Sequence, residues 1–241
     1  MERRVGTAGW GIPREARPMF DSSGSLLERY ARRFSCVEIN SCFYRPHRAA
    51  TYARWAASVP NAFRFSLKLP KTITHELRLR DAGDELEAFL ESTASLGEKR
   101  DVILVQMPPS LSFEAAVAEP FFELLRGRYA GRIACEPRHA TWFDDAPANA
   151  LLEWFGVARV AADPPIAGQA FASGGARSFE YWRLHGAPHI YYSAYDPTRL
   201  SAIASRIARA ESPAWCVFDN TAMGAAIPDA FAMLEFLSEG A

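Results

Sequence analysis

The sequence predicts a single α/β domain spanning residues 1–241, an eight-stranded (β/α)8 barrel of the TIM type. Three observations carry that expectation. Strand-like runs alternate with amphipathic helical stretches, the pattern of a parallel sheet with crossover helices. The length of 241 residues is close to the ~250 of one such barrel. The polar and ionisable residues crowd the C-terminal ends of eight runs: GTAGW (6–10), CVEIN (36–40), RFSLKLPK (64–71), ILVQMPP (103–109), CEPRH (135–139), VAADPP (160–165), WRLHG (182–186) and CVFDN (216–220). In a closed barrel those ends meet at one mouth, where barrel chemistry is done.

The intervening elements follow in order. After the first strand, Leu26, Leu27, Tyr30, Ala31 and Phe34 recur at helical spacing. The stretch 48–58 places Tyr52, Trp55 and Ala56 on one face, and Pro60 ends it. Residues 83–96 carry Leu86, Phe89, Leu90 and Leu96 before Gly97; 113–126 carry Phe121, Phe122 and Leu125; 147–155 carry Leu151, Leu152 and Phe155. The connection 166–178 after strand six is rich in Gly, Ala and Ser and reads as a loop with little helix. Asp196 then caps a helix with Pro197 at its first position, running to about 210, and a last helix covers 225–238. Seven helices for eight strands fit a barrel better than an open doubly wound sheet.

Composition narrows the function classes. Lys and Arg number 27 against 28 Asp and Glu, so no global charge draws the chain to nucleic acid or membrane, although a local basic cleft is compatible with that balance. The N-terminus lacks the apolar core of a secretory signal, and no apolar run approaches the ~20 residues of a membrane span. Cys36, Cys42, Cys135 and Cys216 form no CxxC pair and have no zinc-ligand spacing, so they read as small core residues in a reducing, cytoplasmic protein.

Strand alternation assigns faces. Along 63–69, Phe63, Phe65, Leu67 and Leu69 share one side, so Ser66 and Lys68 point into the barrel. The same period turns Glu38, Asn40, Gln106, Glu136, Arg138, Arg183 and His185 inward. So many charges at one end are costly unless paired or solvated, and a mixed-charge cup satisfies them. Interior filling by Glu38–Lys68 or Glu136–Arg138 ion pairs is the structural alternative, and Asp163 before two prolines can simply start a turn. Trp10, Phe43, Tyr44, Trp142, Tyr191 and Tyr192 fall just past strand ends, where rings can wall a ligand or pack on the rim.

The loops HGAPHIYY (185–192) and DNTAMGAA (219–226) stand where barrels often hold phosphate, with Gly224, Ala225 and Ala226 allowing close backbone approach and Arg183 adding charge. His75 is either a site residue after strand three or part of a helix cap beside Thr74, while His47 and His189 read as loop histidines. No compact metal motif, GxSxG or P-loop occurs, so no cofactor is expected. A divalent metal could still be assembled from Glu38, Glu136, Asp163, Asp219 and His185.

The motifs GTAGW (6–10), VEINSCFYR (37–45), FRFSLKLPKTITHE (63–76), LVQMPPS (104–110), EPRHATWF (136–143), YWRLHG (181–186) and FDNTAMGAA (218–226) resemble those of the YecE-like family, domain of unknown function 72, over nearly the whole chain. The resemblance implies a TIM-like barrel without an established reaction. It also implies that Glu38, Asn40, Tyr44, Lys68, His75, Gln106, Glu136, Arg138, His139, Trp142, Arg183, His185 and Asn220 occupy motif positions. Three departures stand out: Gly11, Ile12 and Pro13 where the family has a Tyr and a further Trp after Trp10, Pro137 in place of a Phe, and Asp219 where many members have Asn.

The leading functional expectation is an acid–base hydrolase or lyase acting on a small phosphorylated or carboxylated ligand. Glu38 and Glu136 would exchange protons and Lys68 would stabilise developing negative charge. Arg138 and Arg183 would hold the anion, with Tyr44 and Trp142 walling it. Asn40, His75, Gln106, His139, His185 and Asn220 complete the binding set. The alternatives are a metal-dependent phosphodiesterase acting on nucleic acid, a Schiff-base enzyme using Lys68, and a non-catalytic binding protein.

Overall fold

The computed structural model describes residues 1–241 apart from 145, 167, 168, 170, 240 and 241. Its strands are β1 (Arg3–Thr7), β2 (Cys36–Ile39), β3 (Arg64–Lys68), β4 (Arg100–Gln106), β5 (Arg132–Glu136), β6 (Val157–Arg159 continuing as Ala161–Asp163), β7 (Glu180–Leu184) and β8 (Ala214–Phe218). They pair in parallel from β2 through β5 to the first half of β6, and from the second half of β6 through β7 and β8 to β1. The last seam, between β1 and β2, is a single parallel bridge at Ala8 and Glu38, with Gly9 N donating to the Glu38 carbonyl at 2.8 Å. The ring therefore closes among the described residues as the sequence predicts. Gly6 permits that seam: a Cβ there would stand 2.2 Å from the Cys36 carbonyl oxygen, backbone that cannot yield.

Alternation divides the core in two. Cys36, Val102, Leu104, Ala134, Ala158, Val160, Tyr181, Trp215 and Val217 fill the barrel. The opposite faces, including Val37, Ile39, Phe65, Leu67, Ile103 and Val105, pack against the helices. All four cysteines are buried free thiols. The longer helices are α1 (Leu26–Ala31), α2 (Ala49–Ala57), α3 (Gly83–Thr93), α4 (Ala115–Arg128), α5 (Ala146–Trp154), α6 (Pro197–Ala208) and α7 (Ala226–Glu239), with single helical turns at Ser41–Tyr44 and Thr141–Asp144. Ser25 and Glu28 form a capping box that starts α1, and Asp196 accepts from Thr198 N at 2.9 Å to start α6. The expected helix 83–96 is shorter: it leaves the α conformation at Thr93 and continues as a 3₁₀ turn, Ala94–Lys99.

The connection after β6 departs from the barrel repeat. Within 166–178, positions 167, 168 and 170 lie outside the described residues; the described remainder holds no helix. Gly174–Gly175 instead runs antiparallel along the first half of β6, pairing with Ala158 and Arg159. No described helix is long and apolar enough to cross a membrane.

Candidate functional site at the barrel mouth

The pleat brings Glu38, Glu136 and Arg183 to one level, and Arg183 ties them together. Its guanidinium donates to Glu38 Oε1 at 2.7 Å and Oε2 at 3.1 Å, to Glu136 Oε2 at 2.5 Å and to Asp219 Oδ2 at 3.0 Å. Glu38 is 0% exposed, and Glu136 and Arg183 are each 1% exposed. Burial opposes the charge on Arg183, but the three carboxylates outweigh it and hold its pKa well above the usual value. Burial likewise pushes the Glu136 carboxyl up, yet Arg183, His185 and Arg138 hold it well below the carboxylate range. From the barrel interior, Tyr181 Oη donates to Glu38 Oε2 at 2.8 Å and accepts from Ser66 Oγ at 2.8 Å, so the buried polar groups are satisfied.

His185 bridges two of those carboxylates. Its Nε2 lies 2.8 Å from Glu136 Oε1 and its Nδ1 3.1 Å from Asp219 Oδ2. Burial disfavours the imidazolium, but Glu136 and Asp219 prevail and raise its pKa. The Asp219 carboxyl, pushed up by burial, is lowered overall by Arg183 and His185. Tyr191 sets its ring edge against His185, centroids 5.7 Å apart, on a backbone with φ of 72°. A tyrosine in that left-handed region is strained, a condition found where structure serves a site.

Two cations face the open side. Lys68 pairs with no carboxylate among the described residues; its ammonium rests 4.0 Å from the centroid of the Phe43 ring. Burial lowers its pKa, Arg183 lowers it further, and Glu38, Glu136 and Asp219 offset part of that. Arg138 donates to Glu136 Oε1 at 3.0 Å through one nitrogen and is partly exposed. Of the two ion pairs entertained as interior filling, Glu136–Arg138 forms, whereas Glu38 pairs with Arg183 instead of Lys68.

The remaining expected residues divide by position. Asn40 Nδ2 reaches toward Asp219 Oδ1 at 3.4 Å, and its Oδ1 is buried without a partner. Gln106 donates to the Met107 carbonyl at 2.8 Å. His139 Nδ1 meets Thr141 Oγ1 at 3.0 Å. His75, in the wide helical turn Thr72–Glu76, meets Thr74 Oγ1 and sets its ring against Phe43. Its pKa is lowered by burial and then by Lys68 and Lys71.

Three residues depart from expectation. Trp142 is buried beneath the rim, its Nε1 donating to the Leu111 carbonyl at 3.0 Å and its ring packed on Phe113, so it walls nothing. Tyr44 stands 81% exposed on the rim with its ring edge on Phe43. Asn220 follows the inward Asp219 and therefore points the other way, donating to the Ser193 carbonyl and to Asp229. Asp163 turns outward as well and pairs with Arg199 of α6, which removes it from any metal set at the mouth. No group of three His, Cys, Asp or Glu side chains among the described residues is arranged to hold a metal ion.

Beside the cup lies a hollow of about 540 Å³ where α7 begins, lined by Gly9, Gly11, Thr221, Met223 and Gly224 among others. Of the two loops expected to hold phosphate, 219–226 contributes Thr221, Ala222, Met223, Gly224 and Ala226, whereas no residue of 185–192 lines it. Arg183 does not line it, because its donors are committed to carboxylates. Sequence reasoning left Tyr181 out of the site and named Asp219 only in a metal set, not as the partner of Arg183 and His185. The period of two along Trp215, Val217 and Asp219, and along Tyr181, Arg183 and His185, is the signal that finds both.

Comparison with known proteins gives a consistent picture. A family model described as "Protein of unknown function DUF72" matches residues 4–241. UPF0759 protein YecE of Escherichia coli K12 is 30% identical over 159 residues, 64% of this chain and 58% of that protein. The match thus spans less than two thirds of the curated relative. The crystal structure of a DUF72 family protein from Enterococcus faecalis V583 superposes with a TM-score of 0.82 at 19% identity, covering 98% of this chain and 95% of the other. One from Thermotoga maritima MSB8 gives 0.80 at 22% identity, covering 99% and 100%. Both likenesses speak to the fold.

Proposed function

The chain belongs to the DUF72 family, and for this member we propose an acid–base enzyme, a hydrolase or lyase, acting on a small phosphorylated or carboxylated ligand at the barrel mouth. One observation carries the reading. Lys68 and Arg138 are partly exposed at the mouth, Lys68 with no carboxylate partner among the described residues and Arg138 bonded through one nitrogen only. With Arg183 and an imidazolium at His185 they make four cations against the three carboxylates Glu38, Glu136 and Asp219. A cup in that state attracts an anion and gains little from a further cation.

Roles follow from what each group can reach. Lys68 and Arg138 hold the anion and stabilise negative charge that develops on it. His185, whose imidazolium Glu136 and Asp219 favour, is the group with a proton to give. Glu38 and Glu136 position Arg183 and His185. Proton exchange by Glu136 itself is disfavoured, since its depressed pKa keeps it ionised.

The test is a screen of phosphorylated and carboxylated sugars for turnover, followed by Lys68→Met and His185→Asn. Loss of about 10²–10⁴ in kcat/KM is expected for each, with wild-type activity falling as pH rises through the raised His185 pKa. Unaltered turnover in both variants would remove the assignment. The lowered pKa of Lys68 favours one second reading, a Schiff-base nucleophile. Borohydride with a carbonyl substrate would then add mass at Lys68, which the first reading forbids. Stoichiometric zinc or manganese in protein purified without chelator would point to a phosphodiesterase, and a ligand recovered unchanged to a binding protein.

A further inference from the structure

The barrel's flank carries a second basic cavity, far from the mouth in the fold and produced by the irregularity after β6. The first half of β6 pairs with Gly174–Gly175 and only the second half with β7, so the wall parts at its lower end. No described helix is supplied by the 166–178 connection itself, and α5 borders the gap only with Asn149 and Glu153. The result is a groove of about 800 Å³ between the 172–177 strap, the outer edge of β7 and the end of α6. It is larger than the hollow beside the mouth, and within the 300–1,000 Å³ range of small-molecule sites.

Its lining is unusual for a surface left by a missing helix. Such a face is ordinarily apolar, because the crossover helix packs on it. Here β6 presents Arg159, and Arg177, Arg206 and Arg209 complete the set. None of these four guanidinium groups hydrogen-bonds or ion-pairs with a described residue. Arg177, Arg206 and Arg209 are exposed, but Arg159 is half-buried, which sets it apart from the other buried or half-buried arginines such as Arg4, Arg100, Arg126 and Arg183, all committed to carbonyls or carboxylates. Arg159 is half-buried, with its Nε buried and unpartnered.

Two of these cations are held in place by rings. Arg159 lies 4.9 Å from the Phe143 centroid, and a Cβ at position 174 would come within 2.5 Å of its Nη2, so Gly174 lets the strap rest directly on the guanidinium. Arg206 sits 5.0 Å from the Phe171 centroid and 5.2 Å from that of Trp182. Trp182 is itself fixed by its Nε1 donating to Glu180 at 2.9 Å. Three glutamates also line the groove; Glu180 is engaged by Trp182, and Glu153 accepts from Asn149 at 2.8 Å.

We propose that this flank groove binds a small phosphate-bearing anion, with Arg159 and Arg206 as its fixed donors and Arg177 and Arg209 closing from the exposed edge. Ring-held guanidinium groups lose little freedom on binding, and their paired N–H donors match phosphate oxygens. A bounded cavity in a chain of net charge −1 suits a small ligand better than a polymer.

Pyrophosphate is the probe, titrated calorimetrically into the full chain at low ionic strength. Saturable binding is expected, with Kd raised about tenfold or more in Arg206→Gln and in Arg159→Gln, one charge-assisted contact being lost in each. Lys68→Met should bind as wild type does, which separates this groove from the mouth. Arg206 is exposed on a helix, so its variant reports even if Arg159→Gln proves unstable. Absence of saturable binding in wild type would overturn the proposal. So would loss of binding in Lys68→Met with Arg206→Gln unaffected.

Discussion

The two ends of the barrel use the same residue types differently. At the base, where strands begin and helices end, cations are spent chiefly on backbone carbonyls, and the carboxylates they also meet, Glu2 and Asp101, are exposed or partly exposed. Arg4 donates to Ser35 O and Ala62 O at 3.0 Å each, and Arg126 to Phe155 O at 2.8 Å and Gly156 O at 2.9 Å. Lys99 donates to Ala56 O and Val59 O, and Arg100 to Leu90 O. At the mouth Arg183 donates to carboxylates alone. Carbonyls do not titrate and carboxylates do. The base is therefore a fixed clamp that satisfies helix C-termini, and the mouth is a set of charges whose balance can change with a proton or a ligand.

Removing the central cation at each end tests that contrast most severely. Arg183→Met would strand three carboxylates and is expected to cost about 3–5 kcal/mol in urea denaturation. Arg4→Met leaves two neutral carbonyls and the exposed carboxylate of Glu2 short of a donor and should cost about 1–3 kcal/mol. Equal losses at the two ends would break the comparison.

Acid titration sharpens it. The Glu136 and Asp219 pKa values are depressed in the fold, so their stabilisation is present above the unfolded carboxylate range, near pH 4, and is lost as pH falls through the folded values. His185 runs the opposite way: its raised pKa contributes fully below about pH 6.5 and is lost as pH rises through the folded value. Glu136→Gln should flatten the acid limb by up to about 1.4 kcal/mol per pH unit, whereas Arg4→Met should shift the whole curve without changing its slope. A slope that responds to the base variant would show that the titrating groups lie elsewhere.

The smallest expected effect is Lys68→Met. An ammonium held over a ring without a carboxylate contributes little to folding, so stability should change by less than about 1 kcal/mol, in the favourable direction if either. A loss of several kcal/mol in thermal or urea unfolding would make Lys68 part of the clamp.

Much of this arrangement was legible before folding. The 3.6 and 2.0 periods placed the helices and turned Glu38, Lys68, Glu136, Arg183 and His185 toward one interior, because side-chain direction follows from local backbone geometry. The sequence offered Asp219 only as a metal ligand and Asn220 as the binding residue, although the same period turns Asp219 inward and Asn220 away. Trp142 was misplaced for a different reason: an aromatic just past a strand end can turn up to a ligand or down to the core, and the Leu111 carbonyl that claims its Nε1 is 31 residues away.

The sequence by itself determined which side chains enter the barrel and at which end, since pleat and helix periods are properties of short segments. Tertiary structure alone decided the partners. Arg183 reaches Glu38 across 145 residues and leaves Lys68 unpaired, and the strap at Gly174–Gly175 opens the flank around Arg159. Both outcomes depend on how the ring closes and on where strand pairing shifts between neighbours, distances that no local period encodes.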